Sequence, residues 1–262
     1  MQTVEWKKVV SRVQPEKSLT FGRKRSVGRN SQGRITTRHK GGGEKRLWRE
    51  IDFRYEKRGM TGRVKSLEYD PNRTSLIALI VYQDGQKRYI LAPAGLKVGD
   101  SVRTAQDAPV EIGNRLPLEK IPVGSAVHNI SFEPYGRAKL ARSAGASAVI
   151  LSHEAEMTHL ELPSKEVRMV RRGAWASIGS LSNPEHIFVT IGKAGKSRHK
   201  GIRPSVRGTA MNPVDHPHGG GEGRALIGRR RGPATPWGKL ARGVKTRKVG
   251  KKSDAYILSR RR

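Results

Sequence analysis

The chain has 262 residues and carries 53 Lys and Arg against 22 Asp and Glu, a formal net charge of +31 with a sequence pI of about 11.2. Repulsion on that scale opposes a compact state until a polyanion neutralises it, which sets aside an ordinary self-contained soluble enzyme as the first reading. There is no cysteine, hence no disulfide and no Cys-ligated metal centre, and no run approaches about 18 consecutive apolar residues, so no membrane partner is expected.

The charge is carried by the flanks. Residues 1–49 hold 14 basic and 3 acidic side chains, residues 50–192 hold 19 and 16, and residues 193–262 hold 20 and 3. The middle is therefore balanced like a common globular protein. The opening MQTVEWKKVV lacks an apolar signal region, and Glu5 and Glu16 argue against an acid-poor transit peptide, so a cytosolic or organelle-matrix location is expected. Within the first flank, Arg34 to Lys40 leads into Gly41-Gly42-Gly43. Glycine lets backbone approach a phosphate chain closely. Residues 1–49 are read as a basic N-terminal extension.

From residue 50 the runs are short, β-branched and separated by turns. Ile51-Asp52-Phe53 alternates. Val64 to Tyr69 reads as a strand ending in the turn Asp70-Pro71-Asn72-Arg73. Leu76 to Tyr82 is nearly all apolar, Asp84-Gly85 marks a hairpin, and Lys87 to Leu91 returns. Further strands are expected at Val123 to Phe132, Ala146 to Leu151, Met157 to Leu162, Glu166 to Val170 and Ile187 to Ile191, with a short helical turn within 174–185. Strands at this spacing predict an all-β chain of barrels or sandwiches. A boundary near residue 120 gives two small barrels, 50–120 and 121–192.

The segment 193–262 has 12 glycines, 5 prolines and almost no apolar period, too little to offset its ordering entropy by burial. It is read as a C-terminal extension that orders on RNA. Gly192-Lys193-Ala194-Gly195-Lys196-Ser197 ends like a phosphate-binding loop, but Thr190 stands where that pattern needs glycine. Lys193 and Lys196 are better assigned to RNA phosphates. Asp215-His216-Pro217-His218 before Gly219-Gly220-Gly221 has three readings. A metal site would use Asp215, His216 and His218 but lacks a fourth ligand nearby. A general acid–base pair would use Asp215 and His216, with no nucleophile marked out. A Pro/Gly turn whose imidazoles contact bases and ribose fits RNA recognition best. No metal and no cofactor are assigned.

Several stretches then resemble one family. They include Gly33-Arg34-Ile35-Thr36-Thr37-Arg38-His39, Glu68-Tyr69-Asp70-Pro71-Asn72-Arg73 and Leu140-Ala141-Arg142-Ser143-Ala144-Gly145. The longest runs from Arg207 through Asp215-His216-Pro217-His218 to Arg224, and Thr235-Pro236-Trp237-Gly238 and Lys245-Thr246-Arg247 follow. Together they are similar to large-subunit ribosomal protein two of the bacterial type. That resemblance implies an oligonucleotide-binding-type barrel followed by an SH3-like barrel, with long irregular basic extensions in large-subunit ribosomal RNA. It places the family's RNA-binding arginines on Arg73 and Arg142, and its histidine discussed for peptide-bond formation on His216. Residues assigned to RNA are Arg34, Arg38, His39, Arg73, Arg142, Lys193, Lys196, Arg203, Arg207, Arg224, Arg229, Arg230, Trp237, Lys245 and Arg247. Asp215, His216 and His218 are assigned to support of the peptidyl transferase centre. The implied partners are large-subunit ribosomal RNA, other large-subunit proteins and small-subunit RNA at a subunit bridge, with no small-molecule substrate and no catalysis by the chain. The two alternatives are an enzyme using Asp215 and His216, and a DNA-compacting basic protein.

Overall fold

The structure is a computed structural model that describes residues 6–25, 27–222, 227 and 232–260. Its named strands all pair antiparallel, in three sheets among the described residues. A ribbon pairs β1 (Thr20–Gly22) with β2 (Leu47–Arg49). A four-stranded sheet takes β3 (Thr61–Glu68), β4 (Ile77–Tyr82), β5 (Lys87–Leu91) and β6 (Ser101–Arg103), in the order β5-β4-β3-β6. The remaining strands are β7 (Arg115–Pro117), β8 (Ala126–His128), β9 (Ala148–Glu154), β10 (Met157–Glu161), β11 (Val167–Arg171), β12 (Trp175–Ile178) and β13 (Ile257–Ser259). They form one sheet ordered β13-β11-β10-β9-β8-β12-β7. The chain is all-β. The α-helices among the described residues are two short pieces, α1 (Trp6–Val9) and α2 (Ala194–His199), and no described helix is long and apolar enough to cross a membrane.

The apolar run of β4 is apolar because both of its faces are covered. Ala78, Ile80 and Tyr82 point into a core with Val64, Leu67, Ile90 and Val102. Ile77 and Leu79 point the other way, to Tyr89, Leu91 and Leu181, with Ile51 and Phe53 packed on the margin. A third core lies on the large sheet, around Leu116, Leu118, Ile121, Val127, Ile130, Ile150, Leu160 and Val170. The register is fixed by these faces, since a one-residue slip would turn each set to the wrong side.

Three segments differ from the expectation. Residues 175–178 form β12 instead of a helical turn; all four are buried, so neither period shows. Ile187 to Ile191 is not a strand. Asn183 at φ 63° and Pro184 open a 3-10 turn, Pro184–Phe188, whose Ile187 and Phe188 are exposed. The strand expected over 123–132 shrinks to β8, flanked by Gly124 (φ 83°) and Asn129 (φ 52°).

A buried polar network ties the sheets together. The Arg115 guanidinium is fully buried and donates to the Asn129 carbonyl (2.7 Å), the Ser177 hydroxyl (3.2 Å) and the Trp175 carbonyl (3.1 Å). It lies 4.4 Å from the centre of the Tyr55 ring, whose hydroxyl accepts from Asn129 Nδ2 at 2.7 Å. Burial pulls the Arg115 pKa down to about 10, so it stays charged at neutral pH. Nearby, His128 is buried with Nδ1 donating to the Gly179 carbonyl at 2.8 Å, and burial pushes its pKa down to about 4. A histidine held neutral in the fold stabilises above its unfolded pKa, and that contribution is lost as pH falls from about 6.5 towards 4. Between pH 7 and pH 5 the stability of the chain should fall by about 2 kcal/mol through His128. In the His128→Gln variant, urea midpoints should lose most of that pH dependence.

Packing groups the chain into two units. Unit 1 comprises residues 1–24, 45–190 and 252–262, and unit 2 comprises 25–44 and 191–251. All three apolar cores belong to unit 1. Unit 2 holds 21 Lys and Arg against three Asp and Glu, and its buried described residues are Gly41, Gly201, His216 and Ala234. Both segments of unit 2 leave unit 1 and return to it. The β1–β2 ribbon closes the neck of the first, and after the second the chain pairs β13 against β11, Val167 opposite Ser259.

Candidate nucleic-acid interface

On unit 1 the basic site starts from a turn. Asp70 is fully buried, and its Oδ1 accepts from the Asn72 backbone N–H (2.8 Å) and from Asn72 Nδ2 (3.0 Å). This Asx turn is what Asp-Pro-Asn favours, because proline presets φ and the short carboxylate reaches two residues on. Its consequence is to aim Arg73, whose Nε donates to Asp70 Oδ2. With one edge held, the guanidinium lies 5.8 Å from the Trp48 ring centre and 6.0 Å from that of Phe53.

A second loop brings Arg142 to the same ring. Ala141 is held at φ 48°, its carbonyl accepts from the Asn129 N–H (2.9 Å), and the Ala144 N–H donates to Thr74 Oγ1 (3.0 Å), beside the Asp70 turn. The Arg142 guanidinium lies 5.0 Å from the Phe53 ring centre, and that of Arg137 5.1 Å. Burial first, then the charges of Arg137 and Arg73, pulls the Arg142 pKa down. Three arginines thus converge on one aromatic ring. Such an array is self-repelling in the free chain and is stabilised by phosphate oxygens, which arginine takes in bidentate fashion. Of the residues expected at an RNA site, Arg73 and Arg142 are therefore brought together.

In unit 2, the Arg38 guanidinium stacks 5.2 Å from the ring centre of Trp237, which is 75% exposed. An exposed indole carrying a cation is a platform for a base. Arg34 is exposed in a turn in which its N–H donates to Asn30 Oδ1 at 2.9 Å. His39 (φ 60°) accepts through its carbonyl from the Arg203 N–H at 3.1 Å. Lys193 precedes α2 and Lys196 lies in it, both exposed. Arg207 opens the 3-10 turn Gly208–Ala210, and Lys245 and Arg247 lie exposed outside regular structure. Residues 189–193 are not in a strand, so the strand–loop–helix setting of a nucleotide-hydrolysing loop is missing. Arg224, Arg229 and Arg230 lie outside the described residues.

The glycine triplets have a use that composition does not reveal. The Gly41 N–H donates to the Gly201 carbonyl (3.0 Å), and a Cβ at Gly43 would lie 2.9 Å from Gly201 Cα. A Cβ at Gly219 would lie 2.3 Å from the Asn212 carbonyl oxygen. In each triplet one glycine, Gly43 and Gly219, thus packs against other backbone of unit 2, where a side chain would collide.

The Asp215–His218 stretch forms a tight turn. His216 is 8% exposed, and its Nδ1 accepts from the His218 N–H at 3.0 Å. His218 Nε2 accepts from the Ala234 N–H at 2.8 Å, and the two rings lie 4.7 Å apart. Asp215 is exposed. With His216 Nδ1 occupied by the His218 backbone N–H, Asp215 does not orient the imidazole through that atom. Among the described residues, no group of three or more His, Cys, Asp or Glu is placed to hold a metal ion.

Trp48, Phe53 and Arg137 are not singled out by sequence. The local signal is present, an aromatic beside an arginine in Trp48-Arg49 and Phe53-Arg54, but their convergence with residues 73 and 142 is non-local.

Comparison with family models adds two matches. Residues 16–104 match the family described as Ribosomal Proteins L2, RNA binding N-terminal domain, and residues 111–238 match Ribosomal Proteins L2, C-terminal domain. Together they span most of the chain.

Proposed function

The chain belongs to the ribosomal protein L2 family, a structural constituent of the large subunit that binds ribosomal RNA, and on that premise we propose how it binds and what it supports. The carrying observation is the convergence of Arg73, Arg137 and Arg142 on Phe53. These arginines anchor unit 1 to phosphates of folded large-subunit RNA, and unit 2 neutralises further phosphates through Arg34, Arg38, Lys193, Lys196, Arg203, Arg207 and Lys245. Arg142→Ala should weaken binding to a large-subunit RNA fragment by about 1–3 kcal/mol, the range for a charge-assisted contact. The same variant should flatten the slope of log K against log salt by about 0.7–0.9 for each phosphate it leaves unneutralised. Filter binding across a salt series reads both. An unchanged constant removes Arg142 from the anchor.

The turn at Asp215, His216 and His218 supports the peptidyl transferase centre by shape and hydrogen bonding, while the reaction stays with RNA. Its buried His216 and its backbone-bonded ring nitrogens favour this role. Subunits reconstituted with His216→Ala should lose assembly and peptidyl transfer in step. Normal assembly with transfer reduced by ~10²-fold or more would favour a chemical role. Contacts with neighbouring large-subunit proteins and with small-subunit RNA at a bridge complete the proposal, in a bacterial or an organellar ribosome.

A further inference from the structure

Beside the arginine cluster, unit 1 carries a cavity of about 470 Å³, within the range of roughly 300–1,000 Å³ in which proteins hold small ligands. Its walls combine three aromatic rings, Phe21, Trp48 and Phe53, with the guanidinium groups of Arg73, Arg88 and Arg137. Phe21 is 47% exposed, an unusual position for a ring with an apolar core adjacent. Two further lining residues each leave a buried polar atom without a hydrogen-bond partner, the donor Arg49 Nε and the acceptor Asp52 Oδ2. Buried polar atoms are normally paired, so both side chains keep hydrogen-bonding capacity that the fold itself does not use.

Arginines alone would suit any phosphate backbone. The rings would not, because a paired helix keeps its base faces stacked inside and offers an aromatic side chain nothing to stack on. Only an unpaired nucleotide presents a free base face, a polar base edge and a phosphate together. We propose that this cavity takes one unstacked nucleotide of the bound RNA. Its base stacks on Trp48, beside the exposed Phe21, and its phosphate pairs with Arg73 and Arg137. The proposal rests on the RNA-binding reading above and refines it, since the unit then selects a bulge or loop over a regular helix.

The test uses the full chain at fixed salt with three RNA hairpins of equal length. One is fully paired, one carries a single-nucleotide bulge, and one carries the same bulge as an abasic residue. The bulged hairpin should bind about 10-fold or more tightly than the paired one, the scale of one base stacked on a ring. The abasic hairpin should lose that advantage, and Trp48→Leu should shrink the ratio of bulged to paired affinity towards one. Equal affinity for all three hairpins overturns the nucleotide cavity and leaves RNA binding standing. Hairpins held no more tightly than duplex DNA of matched charge overturn both.

Discussion

Replacing Arg115 by alanine should destabilise unit 1 by about 3–5 kcal/mol, the range for removing one member of a buried charged network. The guanidinium serves the Asn129 and Trp175 carbonyls and the Ser177 hydroxyl at once; its loss would strip these buried oxygens of a charged donor, although the Trp175 carbonyl keeps the Ser131 N–H at 2.9 Å. The stacking on Tyr55 and the volume of the side chain go with it. Arg115→Met fills the space without restoring the donors, so it should cost less than alanine and still more than a surface change. Denaturant midpoints at constant slope measure both. A loss under about 1 kcal/mol for alanine would mean that the guanidinium is not a strut between β7, β12 and the loop at Asn129.

The second large effect is expected at Arg73. Its removal takes a guanidinium from the arginine cluster and leaves the buried Asp70 carboxylate with only the Asn72 donors. Arg73→Ala should therefore weaken RNA binding more than Arg142→Ala does, by about 3 kcal/mol or ~10²-fold, and cost about 2–3 kcal/mol of stability. The two losses are separable. Adding Asp70→Asn to Arg73→Ala removes the stranded charge but keeps the Asx oxygen. The double variant should recover much of the stability and none of the RNA affinity. Recovery of both would show that Arg73 acts only through the turn.

How far the sequence discloses this follows from where its signals are local. β5 and the Asp84-Gly85 hairpin stand out because a turn dipeptide separates an apolar run from a second short run ending in Tyr89-Ile90-Leu91. β4 stands out as an apolar run, and the reason, a core on each face, needs the structure. β12 is hidden because Trp175, Ala176, Ser177 and Ile178 are all buried. β13 is hidden because three residues in a basic tail carry no period, and the edge of β11 decides their fate. For the site, Arg73 and Arg142 are named through the family resemblance. The ring that gathers them is not, because residues 48, 53, 73, 137 and 142 meet only after both sheets have closed. The glycine triplets show the limit of composition. A missing Cβ is visible in sequence, while the group that occupies its space is not, and here that group is the chain's own backbone.

The return of both basic segments to unit 1 bears on how such a particle is built. A polypeptide with a loose end can reptate into a folded RNA through a narrow opening, but a lasso tied at its base cannot. With the two ends of 25–44 joined by the β1–β2 ribbon and 191–251 followed by β13 paired on β11, an RNA strand gripped by either segment is expected to be laid into it and not threaded. On the RNA-binding reading proposed above, the expected order is then incorporation of this protein before the surrounding RNA helices dock, which depletion followed by late addition of the chain to assembling particles would check.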